Sequence, residues 1–115
     1  MSQVPLYRLA HCRTGDKGNR SNLAVIAWKP ELYPLLLEQL TEGVMAKAFA
    51  HRQVTRVTRY AIDSLHALNF VVDEALDGGV NSALNLDSHG KTLSFMALEL
   101  PVEVPASLMS HLLHD

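Results

Sequence analysis

The run Asn22-Leu23-Ala24-Val25-Ile26-Ala27-Trp28 is continuous, apolar and carries β-branched members. Its length suits a buried strand better than a helix. Upstream, Leu6, Tyr7 and Leu9 anchor a second strand candidate over residues 6–11. Between the two lies His11-Cys12-Arg13-Thr14-Gly15-Asp16-Lys17-Gly18-Asn19, dense in polar groups. Two strands around it predict a hairpin whose tip, roughly eight residues long, exceeds the usual two to five.

Working downstream, Pro30 takes a first helical position with Glu31 in the first turn. Leu32, Leu35, Leu36, Gln39 and Leu40 then follow helical spacing, and Leu37 widens the apolar surface. Thr41-Glu42-Gly43 marks a break or a second cap, after which Val44, Ala48 and Phe49 resume a short helix. Residues 54–62 read as a strand interrupted by arginines, which predicts an edge-adjacent or partly exposed position. Asp63 or Ser64 can cap a helix over residues 65–76, with Leu65, Leu68, Val72, Ala75 and Leu76 on one face. Asp77-Gly78-Gly79 reads as its stop. Residues 82–86 and 92–100 read as strands around the turn Asp87-Ser88-His89-Gly90. Pro101 and Pro105 end regular structure, and residues 106–115 form a short terminal helix or a frayed, solvated tail.

The order β-β-α-(α)-β-α-β-β predicts an α+β two-layer sandwich: a mostly antiparallel sheet with two main helices on one face. No repeat or low-complexity stretch divides the 115 residues, so residues 1–115 are read as a single domain with a core over about 5–100 and a tail from 101. Hydrophobic residues make up 48% and charged residues 19%, which is globular composition. A formal charge of −2 removes the electrostatic term on which nucleic-acid binding rests. No apolar run is long enough to span a membrane, so neither nucleic acid nor membrane is an expected partner. Cys12 is the single cysteine, which excludes an internal disulfide and suits a reducing cytoplasm. Met1-Ser2-Gln3-Val4-Pro5 has no signal-peptide character, so a cytoplasmic location is expected.

The 11–19 stretch carries the chemistry. Gly15 and Gly18 can turn backbone N–H groups inward to form an anion-binding nest, with Arg13 and Lys17 supplying charge and Thr14 and Asn19 further donors. The plainer reading is that Asp16 pairs with Lys17 or Arg13 and the glycines only make turns. His11 can act as a general base with Asp16 orienting it or serving as the acid, a constellation for a hydrolase or hydratase. Alternatively His11 ends a strand and bonds to a backbone carbonyl. Adjacent strand residues point to opposite faces, so His11 and Cys12 are not expected to meet, and Cys12 reads as a buried, inert thiol. Asn22 can hydrogen-bond across the loop and fix its shape, and Asn69 either faces a pocket or sits at a helix boundary. His111 and His114 lack a third ligand of plausible order, so no metal and no cofactor is expected.

Several segments together resemble a known family. They are Leu9-Ala10-His11-Cys12-Arg13-Thr14-Gly15-Asp16-Lys17-Gly18-Asn19 followed by Asn22, Tyr33-Pro34-Leu35-Leu36, Ala67-Leu68-Asn69-Phe70, Ala75-Leu76-Asp77-Gly78-Gly79-Val80 and Leu86-Asp87. The chain resembles the small C-terminal domain of the AtuA-like acyclic terpene utilisation proteins over about residues 5–100, with Arg13 to Asn19 as the specific part. The resemblance implies a ferredoxin-like fold, in the sense of topology and not of an iron–sulfur cluster, which one cysteine could not hold. It also implies a setting in bacterial catabolism of branched or terpenoid acyl-CoA compounds. Longer members carry a large N-terminal domain; reading this sequence as a free-standing copy makes a separate large-domain chain an expected partner, beside a homo-oligomer and a small anionic ligand. Three functions follow: an accessory or ligand-binding subunit whose 11–19 loop holds an anionic group, an architectural oligomerisation module, or a small acyl-CoA hydrolase or lyase using His11 and Asp16. In the architectural reading, residues 54–62 and the final strand are the candidates for pairing between chains.

Overall fold

The computed structural model describes residues 2–17, 20–49, 54–74 and 96–112. Within them the chain forms β1 (Ser2–Pro5), β2 (Ala10–Lys17), β3 (Arg20–Ala27), α1 (Tyr33–Gln39), α2 (Glu42–Ala48), β4 (Val54–Ile62), β5 (Ala67–Glu74) and β6 (Pro101–Val104). Four strands make one antiparallel sheet in the order β2-β3-β5-β4, and β1 and β6 form a separate antiparallel ribbon. This is an α+β fold with antiparallel sheets and a few helices.

Alternation builds the sheet. In β3 the buried positions are Ser21, Leu23 and Val25, and in β5 Leu68, Phe70 and Val72 alternate in the same way, with Ala67 also buried at the strand's start. Register sets Leu23 opposite Phe70 and Val25 opposite Leu68, so these residues share one face. Against them pack Leu32, Leu36 and Leu40 around α1 and Met45 and Phe49 around α2. Val4, Leu6, Val102 and Val104 extend the same core to the ribbon. β3 and β4 each run antiparallel to β5, hence parallel to each other, and parallel strands require a crossover. Both helices lie in that crossover.

The helix expected over residues 65–76 is instead the strand β5, at the centre of the sheet. Leu65, Leu68 and Val72 do fall at helical spacing, but Leu68, Phe70 and Val72 also alternate, and that period is the one buried. Asp63 opens a 3-10 turn, Asp63–Leu65, rather than a helix. His66 then takes left-handed backbone (φ 51°, ψ 47°) and reverses the chain into β5. Leu65 is exposed. The two helices on one face are therefore α1 and α2, both before β4.

The hairpin also differs from expectation. Residues 6–8 form a 3-10 turn and the strand starts at Ala10. β2 pairs with β3 without interruption from Ala10↔Ala27 to Lys17↔Arg20. The polar stretch is therefore strand and not an enlarged loop, up to Gly18 and Asn19, which lie outside the described residues. Position on an edge explains why glycine and polar residues are tolerated there.

The C-terminal segment needs two corrections. Residues 96–98 form a helical turn within the expected 92–100 strand. Pro101 begins β6 rather than ending regular structure, since Pro5↔Pro101 and Ser2↔Val104 are paired. Beyond it the 3-10 turn Ala106–His111 docks on the entry to α1, with Leu112 buried and His111 Nδ1 4.0 Å from Glu31 Oε1, so this part of the tail is not frayed. The expected helix end at residues 75–79, the strand at 82–86, the turn at 87–90 and His114 lie outside the described residues.

Polar ties hold the layers in place. The Thr41 hydroxyl accepts from the Val44 N–H (3.2 Å) and caps α2. Arg59 Nη1 donates to the Leu37 and Leu40 carbonyls, both at 2.8 Å, satisfying acceptors that the end of α1 leaves open. Gln39 Nε2 donates to the Glu103 carbonyl, and the Glu103 N–H donates to Gln39 Oε1, both at 2.8 Å. Gln39 thus joins α1 to the outer edge of β6. Gln39→Ala removes both bonds and is expected to cost about 1 kcal/mol, because water replaces part of the loss at this exposed edge. Urea unfolding checks it, with far-UV circular dichroism unchanged in the folded state.

Candidate functional site

The face of the sheet turned away from the helices holds half of the candidate residues. On β2, His11, Arg13 and Gly15 pair with Ile26, Ala24 and Asn22, which alternate with the buried residues of β3. On β5, Asn69 pairs with Ala24 on one side and Tyr60 on the other. His11, Arg13, Gly15, Asn22 and Asn69 therefore share one surface, although 58 residues separate the first from the last. Asn22 Nδ2 approaches Asn69 Oδ1 at 3.5 Å, the long limit of a hydrogen bond. Asn22 thus bridges strands instead of bracing a loop, and Asn69 sits in a central strand and not at a helix boundary.

Three groups order this face. At one end the His11 and Trp28 rings lie 4.6 Å apart between centroids, tilted by 31°. Trp28 Nε1 donates to the Tyr7 carbonyl (3.1 Å), which fixes the indole. In the middle stand Arg13, Asn22, Asn69 and Tyr60. Among the described residues the Arg13 side chain is exposed and has no hydrogen-bond or ion-pair partner. At the other end Arg20 Nε lies 2.6 Å from Asp73 Oδ1. Arg20 is largely exposed there, so this pair adds little to stability.

Gly15 has a role other than a left-handed turn. It lies in extended strand, and a Cβ built there would sit 2.7 Å from Asn22 Oδ1. The missing side chain leaves room for the Asn22 amide. The Trp28 N–H donates to the Leu9 carbonyl, and antiparallel alternation from that pair directs the amides of His11, Arg13 and Gly15 into β3. Gly15 therefore does not offer its N–H to a nest. Thr14 pairs with Leu23 on the helix side of the sheet, at an exposed position. Asp16 occupies a register position opposite Ser21. Five residues of strand separate the two by about 16 Å, so the structure does not bring His11 and Asp16 together as an acid–base pair. Lys17 pairs with Arg20 at the hairpin end, and Gly18 and Asn19 lie outside the described residues.

Cys12 points to the helix side, away from His11, and packs against the core. Burial pushes its thiol up to about 12. Tyr33 is buried at the start of α1, its hydroxyl donating to Asp63 Oδ1 (2.7 Å). Burial, then the bond to Asp63, pushes its phenol up to about 12. Among the described residues no three His, Cys, Asp or Glu side chains gather as a metal site. No described helix is long and apolar enough to cross a membrane.

Sequence reasoning did not single out Trp28, Tyr60, Arg20 or Asp73. The signal was available for Trp28, Arg20 and Asp73, which sit six, two and four residues from Asn22 or Asn69 along the same run, whereas Tyr60 is brought in only by its register with Asn69. Both raised acids ionise more readily in the unfolded chain. Stability is therefore expected to be fully present below about pH 9 and to fall as pH rises toward about 12, first through Cys12 and then through Tyr33. Denaturant titrations across that range check the sign. At neutral pH a disulfide reagent such as DTNB is expected to label the half-buried Cys12 more slowly in the folded protein than in the unfolded chain, because little thiolate is present.

Comparison with known proteins adds one assignment. Neither the curated proteins nor the solved structures gave a match. The family model described as AtuA ferredoxin-like domain matches residues 4–103, nearly the whole chain. The paired strands from Val4 to Glu103 described above fall inside that span, and the chain belongs to the AtuA ferredoxin-like domain family.

Proposed function

We propose that the chain is an accessory, ligand-binding subunit in bacterial acyl-CoA or terpenoid catabolism, acting in the cytoplasm. Its open sheet face receives an anionic group at Arg13. The observation that carries this reading is the exposed Arg13 guanidinium, unpaired among the described residues, set in a row with the Asn69 amide and the Tyr60 hydroxyl. A guanidinium matches a carboxylate or phosphate in a planar, two-bond fashion, and neighbouring amides add donors. Family membership supports the metabolic setting. The separation of His11 from Asp16 supports a binding role over an acid–base role. The contact lies on the face of the strand, not in a backbone cradle at its tip.

Calorimetric titration with CoA thioesters and with free branched carboxylic acids tests it. Binding is expected, and Arg13→Ala is expected to weaken it tenfold or more, about 1.4 kcal/mol. No heat at millimolar ligand, or equal affinity in the variant, rejects the reading.

One observation favours a second reading, a separate large-domain chain as the occupant of this face. Trp28, Tyr60, Ile62 and Leu65 are large apolar or aromatic residues left 42%, 54%, 38% and 63% exposed, on or beside the sheet. Exposed aromatic residues such as Trp28 and Tyr60 are enriched at interfaces, which is the composition this reading calls for. Co-expression with a large AtuA-type chain is expected to give a complex on size exclusion that Tyr60→Asp disrupts. Separate elution of the wild-type chains counts against it.

A further inference from the structure

The edges of the sheets differ in how they are closed. The outer edge of β6 is occupied by the Gln39 side chain, which uses both the N–H and the carbonyl of Glu103. β1 is four residues long and ends in Pro5. β4 carries a register shift between Val54 and Arg56, and Glu42 Oε2 accepts the outward N–H of Arg59 at 2.7 Å. Bulges, proline and charged side chains are the usual devices that keep an edge from pairing with another chain. The strand at 54–62, a candidate for pairing between chains on sequence grounds, is thus blunted.

Among the described residues β2 has no proline, no register shift and no side chain bonded to its outward backbone groups, although Arg13, Asp16 and Lys17 place charges along it. It is eight residues long and pairs with β3 throughout. The alternation that turns His11, Arg13 and Gly15 into β3 turns the backbone N–H and carbonyl groups of Ala10, Cys12, Thr14 and Asp16 outward. Among the described residues no strand pairs with this eight-residue edge, and such an edge is a template for strand addition.

We propose that this edge pairs with the same edge of a second copy of the chain, antiparallel about a two-fold axis. An antiparallel strand is complementary to itself, since the two-fold matches each outward donor to an acceptor on the other copy. Charge selects among registers. Pairing centred on Arg13 would set two guanidinium groups opposite one another, which is unfavourable. Pairing centred on Thr14 sets Arg13 opposite Gly15 of the second copy, which has no side chain, and sets the two threonines together. That register keeps the outward groups of both strands in facing positions. It joins the two sheets into one, keeps both helix layers on the same side and leaves the open faces uncovered. The proposal therefore stands or falls independently of ligand binding at Arg13.

Light scattering or sedimentation equilibrium on the full chain, at tens of micromolar, is expected to give a dimer. Hydrogen exchange is expected to show Cys12 and Thr14 amides gaining protection with concentration, while His11 and Arg13 amides, already in the β3 ladder, do not change. Thr14→Pro removes an outward N–H and no β2–β3 bond, and is expected to weaken association at least tenfold with circular dichroism unchanged. Thr14→Lys, which sets like charges across the two-fold, is the second variant should the proline disturb folding. A wild-type monomer at that concentration overturns the proposal. So does a dimer that a folded variant at Thr14 leaves intact. So does protection of Cys12 and Thr14 that is independent of concentration, which would mean the edge is covered from within the chain.

Discussion

β5 is hydrogen-bonded on both sides, and the rest of the molecule depends on which way its residues point. Leu68, Phe70 and Val72 face the helices, and this one set supplies the floor of the core. Asn69, Val71 and Asp73 face the other way and run along the open surface from its middle to the Arg20 end. Because side chains alternate along a strand, a slip of one residue would exchange the two sets and bury Asn69 and Asp73. The penalty for burying those polar groups without partners fixes the register of β3 and β4 against β5. Core and candidate site are thus two sides of a single choice.

The helix layer is short, and neither helix would persist alone at seven residues. Apolar contact with the sheet gives them most of their stability. Orientation comes from side-chain bonds to backbone at the element ends: Arg59 onto the last carbonyls of α1, Gln39 onto β6, Thr41 at the start of α2. Such bonds are directional where hydrophobic contact is not. They explain how one small helical layer can sit in register with both the sheet and the β1/β6 ribbon.

Much of the helical hairpin was legible in the residues. Pro30, the leucine spacing and Thr41 each mark a feature that the structure contains. β3 and β4 were legible from apolar runs and β-branched content. β5 was misread because its apolar residues fit both periods, and the decision between them belongs to the neighbouring strands, which local sequence does not display. The 11–19 stretch was misread for a related reason. Gly15 and Asp16 are poor strand formers in isolation, and only the facing strand makes them extended. The site was found in part: the stretch named the right strand, but gathered residues by nearness in sequence. The sheet sorts them by parity, keeps His11, Arg13 and Gly15 together, and adds Asn22, Asn69 and Tyr60 from other strands.

Trp28 is the single tryptophan of the chain, and it stands at the rim of the open face with its indole anchored to the Tyr7 carbonyl. The intrinsic emission of the protein therefore originates beside His11, outside the apolar interior. Its wavelength and intensity follow solvent contact and ring contact at that rim. Heating followed by this signal alone would watch a surface come apart before, or independently of, the packing of Phe49 and Phe70. The same placement gives the molecule a built-in optical probe of anything that comes to rest on the sheet.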